Sequence, residues 1–308
     1  MGRAMKGLGA VMLGLISLLT GCGSKEPYQQ RGGTWYYRDQ PLQLQPGERL
    51  TPLSGEFARS QRFGYFRGLP ISGSDGGSFV VLDGHYAKDR QQVYYCFARR
   101  ESEDYFTTQR RVVKVLEADP TNFQLLRRGY AKDKQKVFYE GTPFAVRDVA
   151  SFELLDYGLF ARDRFTGYYD DIPIPGSDGP SFTPLDDHYA RDRAHVYFAD
   201  KDLSQSPIVA RSWRLEGALL DSFKTLESSY AKDAQRAYYK GKPLSVSDGG
   251  WLEVLSLGYA KTQTRVFYEG KEVRGADAAS FAMLQPITDQ ADSRDAKYSY
   301  KQGQRVNN

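Results

Sequence analysis

Catalysis near neutral pH usually needs a histidine or a poised pair of carboxylates. The chain has three histidines, His85, His188 and His195. The first two occupy the same slot in two copies of a repeated segment, which favours a structural role for both. The aspartates also recur at fixed places, where turns and helix caps need them. No Gly-x-Ser-x-Gly, His-Glu-x-x-His, phosphate-binding glycine loop or Cys-x-x-Cys motif occurs. We therefore expect neither a catalytic residue nor a cofactor.

Ser-Asp-Gly segments at 73–76, 176–179 and 247–250 resemble fragments of calcium loops. Each has one carboxylate, whereas a calcium site usually needs several oxygen ligands. We therefore expect turns, and no metal site.

Thiol acylation is the chemistry that the N-terminus offers. Arg3 and Lys6 precede an apolar run, 7–19, which is shorter than the ~20 residues of a transmembrane helix. The run ends at Leu19-Thr20-Gly21-Cys22, which resembles the lipobox of bacterial lipoproteins. The resemblance implies a signal peptide at 1–21, a lipid on Cys22 and a lipidated linker at 22–33.

This resemblance also implies an address in the bacterial cell envelope. Gly23 and Ser24 follow the cysteine, instead of the aspartate that commonly retains lipoproteins at the inner membrane. We therefore expect a lipid anchor in the outer membrane, facing the periplasm. After loss of Arg3 and Lys6, 40 basic side chains face 38 acidic ones, so we expect no nucleic-acid partner. Cys96 is then the remaining free cysteine, and we expect a buried thiol.

A Tyr/Phe-Ala-Lys/Arg motif, usually followed by Asp, organises the rest of the chain. It begins at Phe57, Tyr86, Tyr130, Phe160, Tyr189, Tyr230 and Tyr259. The steps are 29, 44, 30, 29, 41 and 29 residues, so a short-long-short series occurs twice. Residues 57–95 match residues 160–198 at more than half of their positions at an offset of 103. We infer an internal duplication of a three-unit block.

The unit at 130–155 shows what the motif predicts. Tyr130-Ala131-Lys132 forms a strand, Asp133 opens a turn, and Val137-Phe138-Tyr139 forms a second strand. Glu140-Gly141 makes a tight turn before a third short strand. An Asp-x-x-Ser-Phe segment at 148–152 predicts a helical turn capped by its aspartate, with the phenylalanine in the core. Each unit thus has about three strands.

The motif resembles the DKNYY family of bacterial repeat proteins, most clearly at 89–95, 133–139 and 233–239. The signature asparagine is absent from these three turns. Thr262 replaces the aspartate of the seventh unit, which suggests a degenerate terminal cap. The resemblance covers most of 34–284 and implies no activity, substrate or catalytic residue.

The predicted fold is all-β, mainly β with single helical turns, and consists of tandem β-meander repeats in an open or curved array. A closed propeller-like ring is the alternative. The first block, with an N-terminal partial unit, spans 34–159, and the second block with a terminal unit spans 160–284. Residues 285–308 form a polar tail or a closing strand.

The two long steps arise from inserts at 97–119 and 199–221. Inserts in repeat proteins often lie on the binding face, although extended hairpins completing a sheet explain them equally well. Arg99, Arg100, Tyr105, Trp213 and Arg214 are the candidate partner-binding residues. We hypothesise a non-catalytic scaffold that binds an envelope protein. The alternative is glycan or peptidoglycan binding through the tyrosine-rich repeats.

Overall fold

The computed structural model describes residues 26–100 and 109–306, without the side chains of Arg100 and Gln109. The predicted lipidation site, Cys22, and the predicted contact residue Tyr105 lie outside these ranges. The described chain folds into nine antiparallel sheets, each made of strands that are consecutive in sequence. The prediction of an all-β array of meander repeats is confirmed.

Sheets 1 to 3 begin the array. Sheet 1 contains β1 (Tyr28–Arg31), β2 (Thr34–Tyr37) and β3 (Gln40–Pro41). Sheet 2 contains β4 (Thr51–Pro52), β5 (Phe57–Arg59), β6 (Gly64–Phe66) and β7 (Leu69–Pro70). Sheet 3 contains β8 (Val80–Val81), β9 (Tyr86–Lys88), β10 (Val93–Arg100) and β11 (Gln109–Leu116).

Sheets 4 to 6 have the same meander order. Sheet 4 contains β12 (Gln124–Leu125), β13 (Tyr130–Lys132), β14 (Val137–Tyr139) and β15 (Thr142–Phe144). Sheet 5 contains β16 (Glu153–Leu154), β17 (Phe160–Arg162), β18 (Gly167–Tyr169) and β19 (Ile172–Pro173). Sheet 6 contains β20 (Thr183–Pro184), β21 (Tyr189–Arg191), β22 (Val196–Asp202) and β23 (Val209–Arg214).

Sheets 7 to 9 complete the array. Sheet 7 contains β24 (Lys224–Thr225), β25 (Tyr230–Lys232), β26 (Ala237–Tyr239) and β27 (Lys242–Pro243). Sheet 8 contains β28 (Glu253–Val254), β29 (Tyr259–Lys261), β30 (Val266–Tyr268) and β31 (Lys271–Glu272). Sheet 9 contains β32 (Ala282–Met283), β33 (Ser293–Arg294), β34 (Ser299–Lys301) and β35 (Gln304–Val306).

Helical structure in the described ranges is confined to three single 3-10 turns between sheets, at Gly179–Ser181, Leu220–Ser222 and Gly249–Trp251. The segment at 148–152, for which a helical turn was predicted, instead forms a non-helical turn. Its equivalent at 178–182 contains the 3-10 turn Gly179–Ser181. No helix in these ranges has the length and apolar character needed to span a membrane.

The motif works because successive residues of a strand point to opposite faces of the sheet. Tyr86 packs toward sheet 4 while its neighbour Ala87 packs toward sheet 2. Tyr130 and Ala131 divide in the same way between sheets 5 and 3. The motif alanines are completely buried, so the small side chain lets the preceding sheet approach closely. One dipeptide thereby serves two interfaces.

The core is distributed along the array. Eight buried clusters occur in the described ranges, and each joins two successive sheets, from sheets 1 and 2 to sheets 8 and 9. None of these clusters joins sheet 9 to sheet 1. The described sheets are thus arranged as an array in which no buried cluster closes a ring.

The prediction of three strands per unit was one strand short. The segment after each capped turn, such as Glu153–Leu154, pairs with the next motif strand and becomes the first strand of the next sheet. Two-residue strands have too little sequence to show the alternation that identifies longer ones.

The predicted N-terminal linker needs correction, because 22–33 contains β1, which pairs with β2 along four residue pairs. At 285–308, where a polar tail or a closing strand was predicted, the chain forms β33, β34 and β35 of sheet 9, so the strand alternative describes this end. The terminal unit is thus the ninth sheet, and the Thr262 unit precedes it. Asp292 and Ser293 stand in sheet 9 where earlier motifs have Tyr and Ala, and this change hid the unit.

Candidate interaction sites

The motif aspartates are the most heavily hydrogen-bonded carboxylates of the described chain. One oxygen of Asp89 accepts the backbone amides of Gln91 and Gln92, at 2.7 and 2.8 Å. Its other oxygen accepts the amide of Asp75 at 2.8 Å and the hydroxyl of Tyr94 at 2.7 Å. The turn, the following strand and the capped segment are therefore joined at one carboxylate.

The same network recurs at four further aspartates, Asp163, Asp192, Asp233 and Asp295. Burial opposes ionisation of these five groups, but the hydrogen bonds outweigh it and lower each pKa, to about 2 at Asp295. Where Phe138 replaces the tyrosine, Asp133 keeps its amide donors. Thr262 keeps two amide donors in its own unit. These side chains build turns, as predicted for Asp133.

The aspartates of the Ser-Asp-Gly segments form a second group of hydrogen-bonded carboxylates. The hydroxyl of Ser78 donates to Asp75 at 2.5 Å, and the Arg90 guanidinium lies 2.9 Å from the same carboxylate. Asp178 accepts from the Ser181 hydroxyl and makes no side-chain bond to the backbone of its 3-10 turn. The expected backbone cap is therefore replaced there by a serine contact. Within 26–100 and 109–306, no group of three or more His, Cys, Asp or Glu could hold a metal ion.

The paired histidines contact the backbone. Nδ1 of His85 lies 3.0 Å from the carbonyl of Cys96, and Nδ1 of His188 lies 3.2 Å from the carbonyl of Ala199. Both contacts join the motif strand to the adjacent long strand. Cys96 is buried, and burial raises the pKa of its thiol to about 12, which agrees with a packed cysteine.

The two inserts are extended hairpins. β10 pairs with β11 along eight residue pairs, and β22 pairs with β23 along six. The returning strand is the fourth strand of its sheet, and Leu116 and Leu215 at the hairpin bases are buried. At the base of each hairpin, the insert therefore completes a sheet, which is the alternative given above to a binding face.

The candidate partner-binding residues are distributed over both hairpins. Arg99 is exposed and opposite Arg110, and the backbone of Arg100 pairs with Gln109. Trp213 is half-buried, packs on Phe198 with ring centroids 4.9 Å apart, and donates to the carbonyl of Gly241 at 3.1 Å. Arg214 is exposed and pairs with Glu216 at 2.7 Å. The arrangement thus places Arg99 and Arg214 at the surface and gives Trp213 contacts within the fold.

Exposed apolar side chains cluster at the outer end of the second hairpin, a surface that we call the hairpin tip (202–209). Leu203 is 76% exposed, Ile208 55% and Val209 45%. Ile208 and Val209 lie within the predicted insert at 199–221 but are not among the candidate residues, because exposure is not encoded in a short apolar run.

Charged side chains border the hairpin tip. Arg211 pairs with Asp200 at 2.5 Å and with Asp202 at 3.3 Å. Lys201 reaches from β22 to Asp170 of sheet 5 at 3.0 Å, and its ammonium lies 3.3 Å from the hydroxyl of Tyr139. Both signs of charge therefore surround the apolar end.

An exposed aromatic side chain, Trp251, lies between sheets 7 and 8. Trp251 is 67% exposed and separates two clefts of about 520 and 470 Å³. It stands where other units have a serine, such as Ser78 or Ser181. In this unit Asp248 accepts hydrogen bonds from the backbone amide and the hydroxyl of Thr264, each at 3.0 Å.

The tyrosines contribute little to the surface. Among the described tyrosines Tyr157 is the one exposed residue, so no face of exposed tyrosines is present in 26–100 and 109–306. Several buried motif tyrosines instead bond to the next sheet. The hydroxyl of Tyr86 accepts the amide of Gly141 at 2.8 Å, and Tyr189 and Tyr230 accept those of Gly241 and Gly270, each at 2.9 Å.

Comparison with known proteins identifies a family. The model of the DKNYY family matches residues 96–172 and 160–304. No curated protein and no solved structure matches the chain.

Proposed function

Because the chain belongs to the DKNYY family and is a repeat protein of nine stacked sheets, we propose that it is a non-catalytic scaffold that binds another protein of the bacterial envelope. The observation that carries the proposal is the hairpin tip. Leu203, Ile208 and Val209 are exposed together at the end of a strand pair. Single exposed apolar residues are ordinary, but clustered ones rimmed by charge are typical of protein contacts.

The ion pairs under the tip support this assignment. Asp200 and Arg211 are opposite each other on β22 and β23, and Lys201 links the hairpin to sheet 5. These contacts hold the hairpin in one position before a partner arrives. A preorganised surface loses less conformational entropy on binding than a mobile one.

The anchor is part of the same proposal. The segment at 19–22, which resembles a lipobox, supports acylation of Cys22. In this proposal the lipid anchors the repeat body to the outer membrane, facing the periplasm. A scaffold tethered in this way meets its partner at a high local concentration. The inferred partner is a protein with an apolar surface flanked by charged residues.

Site-specific photo-crosslinking in intact cells tests this function. A photoreactive residue at Leu203 or Ile208 should give a discrete protein adduct. The matched control is Leu257, which is 52% exposed on the body of the array. Leu203→Ser with Ile208→Ser should remove the adduct formed from Val209 without changing the melting temperature by more than about one degree. Identical adducts from positions 203 and 257 would refute a role for the tip.

Glycan binding is the second candidate function, and Trp251 is the observation that favours it. The exposed indole ring of Trp251 borders two clefts, whose polar lining residues include Gln235, Gln263 and Lys261. A flat apolar ring beside hydrogen-bonding groups suits a sugar, which has both apolar and hydroxyl faces. Tryptophan fluorescence during titration with soluble peptidoglycan fragments tests it. The signal should change in the native chain and not in Trp251→Ala, with Trp213→Phe as the control that retains the response.

A further inference from the structure

A cavity of about 750 Å³ lies at one edge of the first three sheets, away from the hairpin tip. Strands β3, β7 and β11, which are the last strands of sheets 1, 2 and 3, contribute to its walls. Its volume lies within the range of ordinary ligand sites. The residues that matter to the argument are Tyr37, Leu42, Tyr65, Arg67, Leu69 and Arg111.

Arg67 and Arg111 line this cavity, and Glu56 is a carboxylate that pairs with Arg67. The Arg67 side chain is only 12% exposed, and its Nε lies 3.3 Å from both Glu56 and the hydroxyl of Tyr37. The same Glu56 oxygen accepts Arg38 at 3.0 Å and Tyr37 at 2.7 Å. Glu56 is therefore shared between two guanidinium groups, and it does not reach Arg111.

Among the residues that the structure describes, no carboxylate pairs with Arg111. Its Nη2 donates to the carbonyl of Pro70 at 3.0 Å, while its Nε is buried without a hydrogen-bond partner. The ionisable groups that face it are Cys96 and Tyr28. Burial raises the pKa of both, so both are neutral at physiological pH. Burial also lowers the pKa of Arg111 itself. A half-buried cation that has only neutral neighbours loses solvation without gaining a counter-charge, and a bound anion would offset this unfavourable free energy.

The second copy of the duplicated block shows what the first one lacks. At an offset of 103 residues, Asp170 occupies the place of Arg67 and Lys201 the place of Ala98. Lys201 and Asp170 form an ion pair of 3.0 Å. Ala210 is opposite Lys201 as Arg111 is opposite Ala98. The second copy thus carries an anion, Asp170, beside its cation. The first copy has Arg67 in the place of that anion, and its second cation, Arg111, lies opposite Ala98.

We propose that the cavity bounded by Arg67 and Arg111 binds the carboxylate of an amphipathic ligand from outside the chain. The planar guanidinium groups favour a carboxylate, which can accept two parallel hydrogen bonds. Leu42 and Leu69 offer an apolar wall for the rest of the ligand. The shared chemistry is a carboxylate on an apolar body, as in a fatty acid or in the C-terminus of a polypeptide that ends in an apolar residue.

Calorimetric titration with octanoate and with its neutral counterpart 1-octanol tests the site. The full chain carries Cys22→Ser, so that no attached lipid competes. Octanoate should bind, and 1-octanol should bind at least about tenfold more weakly, because the loss of a charged hydrogen-bonding partner usually has an effect of this size. A second pair of probes, a pentapeptide ending in leucine and its C-terminal amide, distinguishes the source. Preference for the free-acid peptide over octanoate assigns the site to a polypeptide end, and the reverse assigns it to a fatty acid.

Variants locate the binding. Arg111→Gln should weaken the binding of octanoate at least about tenfold. Arg111→Lys should weaken this binding less, because the charge is kept. Arg90→Gln is the matched control, since it removes an exposed guanidinium from a surface pair with Asp75. Should Arg111→Gln prove unstable by thermal melting, Arg67→Gln provides the same comparison. Equal binding of octanoate and 1-octanol, no binding of either acid, or unchanged affinity in a folded Arg111→Gln variant would overturn the proposal.

Discussion

The hydroxyl of Tyr86 accepts the backbone amide of Gly141 at 2.8 Å, although 55 residues separate them. It also donates to the carbonyl of Gly129 at 3.2 Å. Tyr86 belongs to sheet 3, and both glycines belong to the turns of sheet 4. The motif tyrosine therefore fills a core and binds the adjacent sheet by its polar end. Tyr28 and Tyr259 accept the amides of Gly68 and Gly303 in the same way, whereas Tyr130 donates to the carbonyl of Asp170 at 2.7 Å.

Tyr86→Phe should remove both bonds while keeping the ring in the core. A buried amide and a buried carbonyl then lose a partner, so the free energy of unfolding should fall by about 1–3 kcal/mol. Chemical denaturation measures the change. Tyr157→Phe, whose hydroxyl is exposed, should have almost no effect. An equally small effect at Tyr86 would show that the hydroxyl is not a structural link.

Phe160→Tyr tests the opposite change, the addition of a hydroxyl to a motif ring. Phe160 is a fully buried motif residue, and the next sheet has the long β22–β23 hairpin in place of a tight turn. A new hydroxyl would enter a core with no turn amide to bind it. We expect a decrease of about 1–3 kcal/mol in the free energy of unfolding, measured by denaturation. An unchanged or increased stability would contradict this account of the Tyr/Phe choice.

Gly141→Ala should be strongly destabilising. Gly141 has φ of +68°, and an added Cβ would lie 2.4 Å from the Tyr95 ring. Strain and overlap together should cost at least about 2 kcal/mol. Gly47→Ala is the control, because Gly47 has φ of +77° but no atom near its Cβ position. It should lose about 1 kcal/mol from strain alone. Equal losses in thermal or chemical unfolding would argue against tight packing of the turn on Tyr95.

Acid should weaken the array through its motif aspartates. The pKa of Asp295 falls from 3.8 to about 2 on folding, because its hydrogen bonds outweigh the opposing effect of burial. A lowered folded pKa contributes stability above the unfolded value, and that contribution disappears as the pH falls toward 2. The Asp295→Asn variant should therefore show its largest loss in the free energy of unfolding at pH 5 or above. The difference in this free energy from the native chain should shrink between pH 4 and pH 2. Asp39→Asn, at an exposed carboxylate, is the control. A pH-independent difference at Asp295 would contradict the argument.

Lys201→Met should destabilise the second block at neutral pH. Burial raises the pKa of Asp170, and Lys201 partly offsets this. Without the ammonium, the folded pKa rises further and the buried carboxylate is left without its cation. The free energy of unfolding should fall by about 1–3 kcal/mol at pH 7 and by less at pH 4, where the carboxyl protonates more readily. A loss that grows as the pH falls would indicate a different role for Lys201.

Cys22→Ser should release the chain from membranes or leave it unprocessed, because the thiol is the attachment that the sequence predicts. Fractionation with a carbonate wash measures the outcome, and incorporation of labelled palmitate measures acylation directly. A variant that is still cleaved and still bound to membranes would disprove the lipid anchor.

Local sequence was sufficient for the repeat and for the β class. The Tyr-Ala alternation specifies a strand with two buried faces, and Asp133 specifies its turn, because both depend on residues within a few positions of each other. The same locality explains the errors. The strand Glu153–Leu154 is too short to show alternation. Residues 285–308 were predicted as a tail or a closing strand, and not as part of a complete unit, because Asp292 replaces the motif tyrosine.

Tertiary structure decided how the repeats differ. Whether a motif begins with Tyr or Phe follows from the turn that the next sheet presents, and this turn lies tens of residues away for Tyr86 and Phe160 alike. The exposure of Leu203 and Trp251 and the meeting of Arg67 with Arg111 at one cavity likewise depend on how the sheets stack. Sequence determines the strands and turns through near neighbours, whereas charge balance and exposure result from contacts between sheets that no short pattern contains.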